Sequence, residues 1–236
     1  MMRLMISVVS AEEARTAMAG GAEILDVKNP AEGSLGAQSP SVIREIKSLV
    51  SDRVELSAAI GDMPNLPGTA ALAALGAATC GADYIKVGLH GPRTESEAIA
   101  LLRAVRQAVL EFKTSVIAAG YADFMRAGAL NPRNLPAIAA SAGVRGFLLD
   151  TALKDGQSLL AFMDMQTLRL LVEQAHGAGL LIGLAGALRA QDLASLRDIG
   201  ADVIGLRSAV CRNHQRNEPL DPDRVRQLHQ ILVPVV

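Results

Sequence analysis

The chain has 236 residues, 50% of them hydrophobic, and carries a formal net charge of -1 with a sequence pI near 6.4. That much apolar chain can bury one large core. The balanced charge, with two Tyr, four Phe and no Trp, leaves neither a basic patch nor a stacking platform for nucleic acid. Apolar strand-like runs follow one another along the chain at 4–9 (LMISVV), 23–28 (EILDVK), 54–60 (VELSAAI), 84–89 (YIKVGL), 115–121 (SVIAAGY), 146–150 (GFLLD), 180–185 (LLIGLA) and 202–207 (DVIGLR). Helix-period segments separate them. Ser10 with Glu13 reads as a capping box, and Ser39-Pro40, Asn131-Pro132 and Asp221-Pro222 each offer an N-cap before a first-turn proline. Glycine closes several helices just before the next strand, as in AMAGGAEI, ATCGADYI, ASAGVRGF, AHGAGLLI and RDIGADVI.

Eight βα units in one chain of this length predict a single (β/α)8 TIM barrel over residues 1–236. The rival is a doubly wound open sheet, but no G-x-G-x-x-G follows the first strand. The longest apolar run, LLIGLAGAL, is too short to cross a bilayer, and the N-terminal run lacks a small-residue cleavage site. Cys80 and Cys211 form no close pair and read as buried thiols. The expectation is a cytoplasmic protein.

Lysine is scarce: five against eighteen arginines. Lys47 and Lys113 fit solvated positions, whereas Lys28 and Lys86 fall inside strands. Side chains alternate across a strand, so Asp26 and Lys28 share one face of EILDVK while Leu25 and Val27 share the other. Tyr84, Lys86 and Gly88 likewise share a face opposite Ile85 and Val87. The apolar face must pack on helices, so the charged face points into the barrel, close to the strand ends where barrel enzymes build their sites. A structural ion pair explains Asp26 and Lys28 poorly, because desolvation offsets most of its Coulomb gain. A second inward lysine adds repulsion. Crowded buried amines lose basicity, and a neutral amine is what Schiff-base chemistry needs.

Asp150, at the end of GFLLD, is placed as a general acid or base or as a helix cap, and Lys154 follows in the next loop as a phosphate or substrate contact. Tyr121 and Asp123 lie just past the fifth strand with a weaker claim. Loops after strands seven and eight often hold phosphate. Here Gly186 and Ala187 let backbone approach an oxyanion, while Arg207 and Ser208 supply a guanidinium fork and a hydroxyl. His90, His176, His214 and His229 show no metal-ligand spacing, so no metal is expected.

DVKNPAEGSLGA, DYIKVGL and LLDTALKDG together resemble the (5-formylfuran-3-yl)methyl phosphate synthase family of methanofuran biosynthesis. The likeness runs from the first strand through GLAGAL and GLRSAVC. It implies a (β/α)8 barrel, a carbon–oxygen lyase that condenses two molecules of glyceraldehyde 3-phosphate with loss of phosphate and water. It also implies a Schiff-base lysine at Lys28 and a proton-accepting lysine at Lys86. Asp26 would then steady the iminium of Lys28, and Asp150 with Lys154 would shuttle protons or hold the leaving phosphate. The expected partner is a small triose phosphate, with no cofactor, no nucleic acid, no membrane, and self-association into a homo-oligomer left open. Two other readings remain: a different Schiff-base aldolase-type barrel acting on sugar phosphates, and a non-catalytic barrel that binds a phosphate ligand.

Overall fold

Each of the eight apolar runs forms a parallel strand, and the eighth hydrogen-bonds back to the first, so the sheet has no edge. The computed structural model describes residues 2–51 and 53–232. Its strands are β1 (Arg3–Val8), β2 (Ile24–Val27), β3 (Glu55–Asp62), β4 (Tyr84–Gly88), β5 (Ser115–Tyr121), β6 (Gly146–Asp150), β7 (Leu181–Leu184) and β8 (Val203–Leu206). Around them lie α1 (Ala11–Ala19), α2 (Pro40–Lys47), α3 (Pro67–Thr79), α4 (Glu95–Ala108), a single turn α5 (Phe124–Ala127), α6 (Leu135–Ala142), α7 (Met165–Gly177), α8 (Ala190–Asp198) and α9 (Pro222–Leu232). The TIM barrel read from the sequence is the observed fold. Among the described residues no helix is long and apolar enough to cross a membrane.

Alternation sorts the strand residues into two cores. Leu25, Val27, Ile85 and Val87 belong to the large layer between sheet and helices. Met5, Ile24, Ala59, Ala119, Leu148 and Val203 fill the barrel interior. The lower interior is closed by Arg3, Glu55 and Tyr84, where the tyrosine hydroxyl donates to Glu55 at 3.1 Å and the guanidinium pairs with the same carboxylate. With that end plugged, open space is left only towards the C-terminal ends of the strands, where Asp26, Lys28, Lys86 and Asp150 emerge.

The helix ends follow the sequence signals with informative exceptions. Gly21, Gly81, Gly143, Gly179 and Gly200 all take left-handed φ between +69° and +97° after their helices. Ser10 caps α1 by accepting from the Glu13 amide at 3.3 Å, but the expected capping box is only half formed. The Glu13 carboxylate bonds instead to the Val9 amide and to Arg207. Ser39 precedes Pro40 as expected, yet its side chain makes no cap bond. Asn131 caps a short 3₁₀ turn (Pro132–Asn134) that leads into α6, and Asp221 accepts from the Asp223 amide at 3.0 Å at the start of α9.

Candidate active site

β2 delivers Asp26 into the interior wholly buried, and Lys28 follows one residue past the strand, 6% exposed. The Lys28 amide still bonds to the Val8 carbonyl at 3.2 Å, which keeps the strand's alternation running to the lysine. Lys86, from β4, is 3% exposed. All three face one cavity, yet they pair differently from the sequence expectation. Lys86 Nζ lies 2.6 Å from Asp26 Oδ2, while Lys28 Nζ lies 3.9 Å from the same oxygen. Asp26 is thus the counter-ion of Lys86 first, and Ser7 adds a hydroxyl bond to that oxygen at 3.0 Å. The other carboxylate oxygen, Oδ1, and the buried hydroxyl of Ser57 have no hydrogen-bond partner among the described residues.

Lys28 is left as the loosely paired amine. Burial pushes it down to about 8 from an ordinary 10.5, with Lys86 and Lys154 helping, while Asp150 and Asp26 oppose the shift. Asp150 moves the other way. Burial works to raise it, but the charges of Lys154 and Lys28, a hydrogen bond from Lys154 and one from the Thr151 amide outweigh that and hold it down to about 2. Lys154 Nζ sits 2.6 Å from Asp150 Oδ1, and the Thr151 amide donates to the same oxygen at 2.7 Å. Asp150 therefore does not cap a helix. It is an ionised partner of two lysines. Asp123, buried beside it, accepts from the amides of Ala152 and Leu153 at 2.6 and 2.9 Å and so fixes the loop that carries Lys154.

The loop NPAEGSLG folds over the barrel mouth and is pinned there by hydrogen bonds at both its base and its tip. Asn29 donates its amide to the Gly36 carbonyl at 2.9 Å, closing the loop at its base, and caps the turn Pro30–Glu32 through its side chain. Asp62, at the end of β3, receives the amides of Ser34 and Leu35 at 2.8 and 3.3 Å, and the Tyr121 hydroxyl pairs with its other oxygen. Ser34 Oγ donates to the Thr151 carbonyl at 2.8 Å, and Leu35 drops fully buried into the interior core. Asp62 was not legible in the sequence, because the β3 register shifts between Ala59 and Asp62 and breaks the alternation. Gly33 has φ +126°, and a Cβ there would overlap the Asp62 carboxylate. Gly33→Ala is expected to destabilise the fold by about 2 kcal/mol. A thermal melt should show this as a midpoint lowered by roughly 4–8 °C; an unchanged midpoint would show that the loop re-seats freely.

The expected phosphate loops reach the same cavity, whose volume is about 900 Å³. Gly186 (φ +101°) and Ala187 (φ +47°) are consecutive left-handed residues, a curl that turns successive amides towards one concavity. Ala187 holds a conformation costly for an L-residue, the kind of strain that clusters at functional sites. Ser208 lines the cavity at the start of a 3₁₀ turn. Arg207 is placed differently from its expected role. Its fork is spent on Glu13 at 2.5 and 3.1 Å and on the carbonyls of Arg216, Ser7 and Glu218. It braces the 208–220 segment and has little left for a ligand. That segment brings His214 and Arg216 to the cavity, two residues sequence reasoning passed over because the stretch is polar and patternless. Of the other histidines, His90 packs edge-on to Tyr121 and His176 lies 3.2 Å from Asp202. Lys47 is half-buried and ion-paired with Asp83 at 2.8 Å, where a solvated lysine was expected; Lys113 is exposed.

A family profile described as 4-HFC-P synthase matches residues 4–229. Among curated relatives, (5-formylfuran-3-yl)methyl phosphate synthase of Methanopyrus kandleri is 49% identical over 217 residues, 91% of this chain and 92% of that protein. The protein of the same name from Methanothermobacter thermautotrophicus is 47% identical over 233 residues, 98% of this chain and 99% of its own. Solved structures share the barrel at low identity. 3-Hexulose-6-phosphate synthase from Salmonella typhimurium superposes with a TM-score of 0.69 at 19% identity, covering 98% of this chain and 99% of that one. Phosphoribosyl anthranilate isomerase from Thermotoga maritima gives 0.67 at 20% identity over 100% of both.

Proposed function

The chain belongs to the 4-HFC-P synthase family, and from that premise we propose that it makes (5-formylfuran-3-yl)methyl phosphate from two molecules of glyceraldehyde 3-phosphate through a Schiff base at Lys28. The observation that carries this reading is one buried amine, loosely paired and brought down to about 8, facing a cavity rich in cations. About a tenth of such an amine is neutral at pH 7, against less than a thousandth of an ordinary lysine. The neutral amine attacks the aldehyde carbon of one triose and water leaves. The resulting iminium withdraws electrons and makes the neighbouring C–H acidic. The Lys86–Asp26 pair and the Asp150–Lys154 pair flank that carbon and carry its proton. Union with the second triose, elimination of phosphate, ring closure and dehydration complete the ring. Two trioses balance one product, one inorganic phosphate and two waters with no net oxidation, so this reaction calls for no redox cofactor.

Cationic groups suit both phosphates. Lys154, only 19% exposed and already bridging to Asp150, supports the reading that it meets a phosphate leaving near Asp150. The test is incubation with glyceraldehyde 3-phosphate alone, following near-ultraviolet absorbance and released phosphate together. The expected result is an aromatic aldehyde with one phosphate released per ring. A saturated sugar phosphate with no released phosphate would favour an ordinary Schiff-base aldolase. No turnover and no adduct would favour a barrel that only binds phosphate ligands.

A further inference from the structure

Seven of the nine charged side chains lining the cavity are basic, and most of these are already engaged. Lys86 is held by Asp26, Lys154 by Asp150 and Arg207 by Glu13, while Arg224 lies 3.6 Å from Asp221. Of the remaining three, Lys28 is the loosely paired amine, Arg189 is exposed to solvent just before α8, and Arg216 is different from both. It is half-buried at the mouth, and among the described residues no carboxylate lies within ion-pair distance of its guanidinium. Its one side-chain bond is from Nη2 to the Gly33 carbonyl at 3.3 Å, across the opening in the β2 loop.

The backbone that presents it is built for the purpose. Cys211 and Leu220 form an antiparallel bridge, the Arg212 amide bonds to the Pro219 carbonyl at 3.0 Å, and the Asp221 amide bonds to the Val210 carbonyl at 2.8 Å. Those contacts pinch the base of the 211–220 loop. Inside it, Arg207 Nε donates to the Arg216 carbonyl at 2.8 Å. Asn213 and His214 take left-handed φ of +53° and +56°, costly conformations that bend the loop back over the cavity. A guanidinium that is half out of water, held by one neutral carbonyl and left without a counter-ion is an anion receptor.

We propose that Arg216 binds the phosphate of the second triose, the one not attached to Lys28. This rests on the two-triose reaction proposed above. The Gly186–Ala187 curl is deeper and made of backbone, so it serves the substrate that enters first and forms the Schiff base. Arg216 stands at the rim and closes on what enters last. Burial also weakens its hold on its own proton somewhat, as expected of a cation lacking a partner, though it stays charged at any working pH.

The experiment compares wild type, Arg216→Met and Arg216→Lys in three readouts. Borohydride trapping of glyceraldehyde 3-phosphate on Lys28 is expected to be unchanged in Arg216→Met. Furan formation at subsaturating substrate is expected to fall roughly 30- to 100-fold, the loss of one or two charge-assisted hydrogen bonds, with partial recovery in Arg216→Lys. Titration with inorganic phosphate is expected to show two classes of site in the wild type and one in Arg216→Met. If trapping and furan formation fall together, Arg216 serves the first triose or only the fold, and the proposal is overturned. It is overturned equally if neither falls. A wild type that binds two phosphates but makes no furan would sink the reaction while leaving Arg216 as a phosphate receptor; a wild type that loses no site on mutation would sink the receptor.

Discussion

Lys28→Met is expected to abolish borohydride-dependent labelling and to lower furan formation by on the order of 10³-fold or more, while the protein stays folded and at least as resistant to heat. The first half follows from chemistry: with no amine there is no iminium and no electron sink. The second half follows from linkage. An unfolded lysine keeps its ordinary affinity for protons, whereas the folded Lys28 is held down to about 8. The native state therefore binds fewer protons than the unfolded chain between about 8 and 10.5, and stability rises with pH across that window. Below about 8 the full cost of the buried amine falls on the native state. A methionine of similar length removes that cost. Trapping in the wild type should rise with pH and level off near 8, where an exposed lysine would still be gaining. Its neighbours predict opposite shifts of that limb. Asp150→Asn removes a charge that favours the ammonium and should move the limb to lower pH; Lys86→Met removes a repulsion and should move it to higher pH. A limb near 10 in the wild type, or full labelling of Lys28→Met, would exclude Lys28 as the Schiff-base residue.

The barrel was legible because its signals are local. Each strand run, helix stop and turn glycine could be read within about ten residues, and strand ends differ from expectation by at most two positions. Parity also placed Asp26, Lys28 and Lys86 on the inward face, since alternation survives any tertiary arrangement that keeps the strand straight. What parity cannot give is distance. Asp26 and Lys28 are two residues apart in sequence, yet the carboxylate's close partner is Lys86, sixty residues on and two strands away. Asp62 was hidden for a related reason: a shift in the β3 register turns it to a side that counting residues does not foretell. Arg207, expected to hold phosphate, is spent on Glu13, and Arg216, given no role from the sequence, is left without a carboxylate partner, because an arginine's reach exceeds the spacing of the elements around it. Which guanidinium is consumed by Glu13 and which is left free is settled by a loop that folds back over the barrel, and nothing periodic in RNHQRNEP announces that fold.

Asp26→Asn is expected to be the most damaging single exchange in the barrel, and for a reason opposite to that at Lys28. Asp26 is the only carboxylate within 4 Å of Lys86 or Lys28 among the described residues, and both amines are almost wholly buried. An amide at this position leaves Lys86 without a counter-charge and Lys28 with only the more distant Asp150, and stripping one partner from a buried pair costs about 3–5 kcal/mol. In a chain of this size that lowers the thermal midpoint by roughly 10 °C. Asp26→Leu combined with Lys86→Met removes both charges at once and should recover most of the loss, because the penalty lies in the unpaired ion and not in the missing attraction. Activity should not follow stability. The double variant is expected to fold and still trap glyceraldehyde 3-phosphate on Lys28, yet to make almost no furan, since the pair proposed to move the proton is gone. Recovery of both stability and furan formation would mean that Lys86 and Asp26 only hold the barrel together. Recovery of stability alone separates holding the barrel from moving the proton.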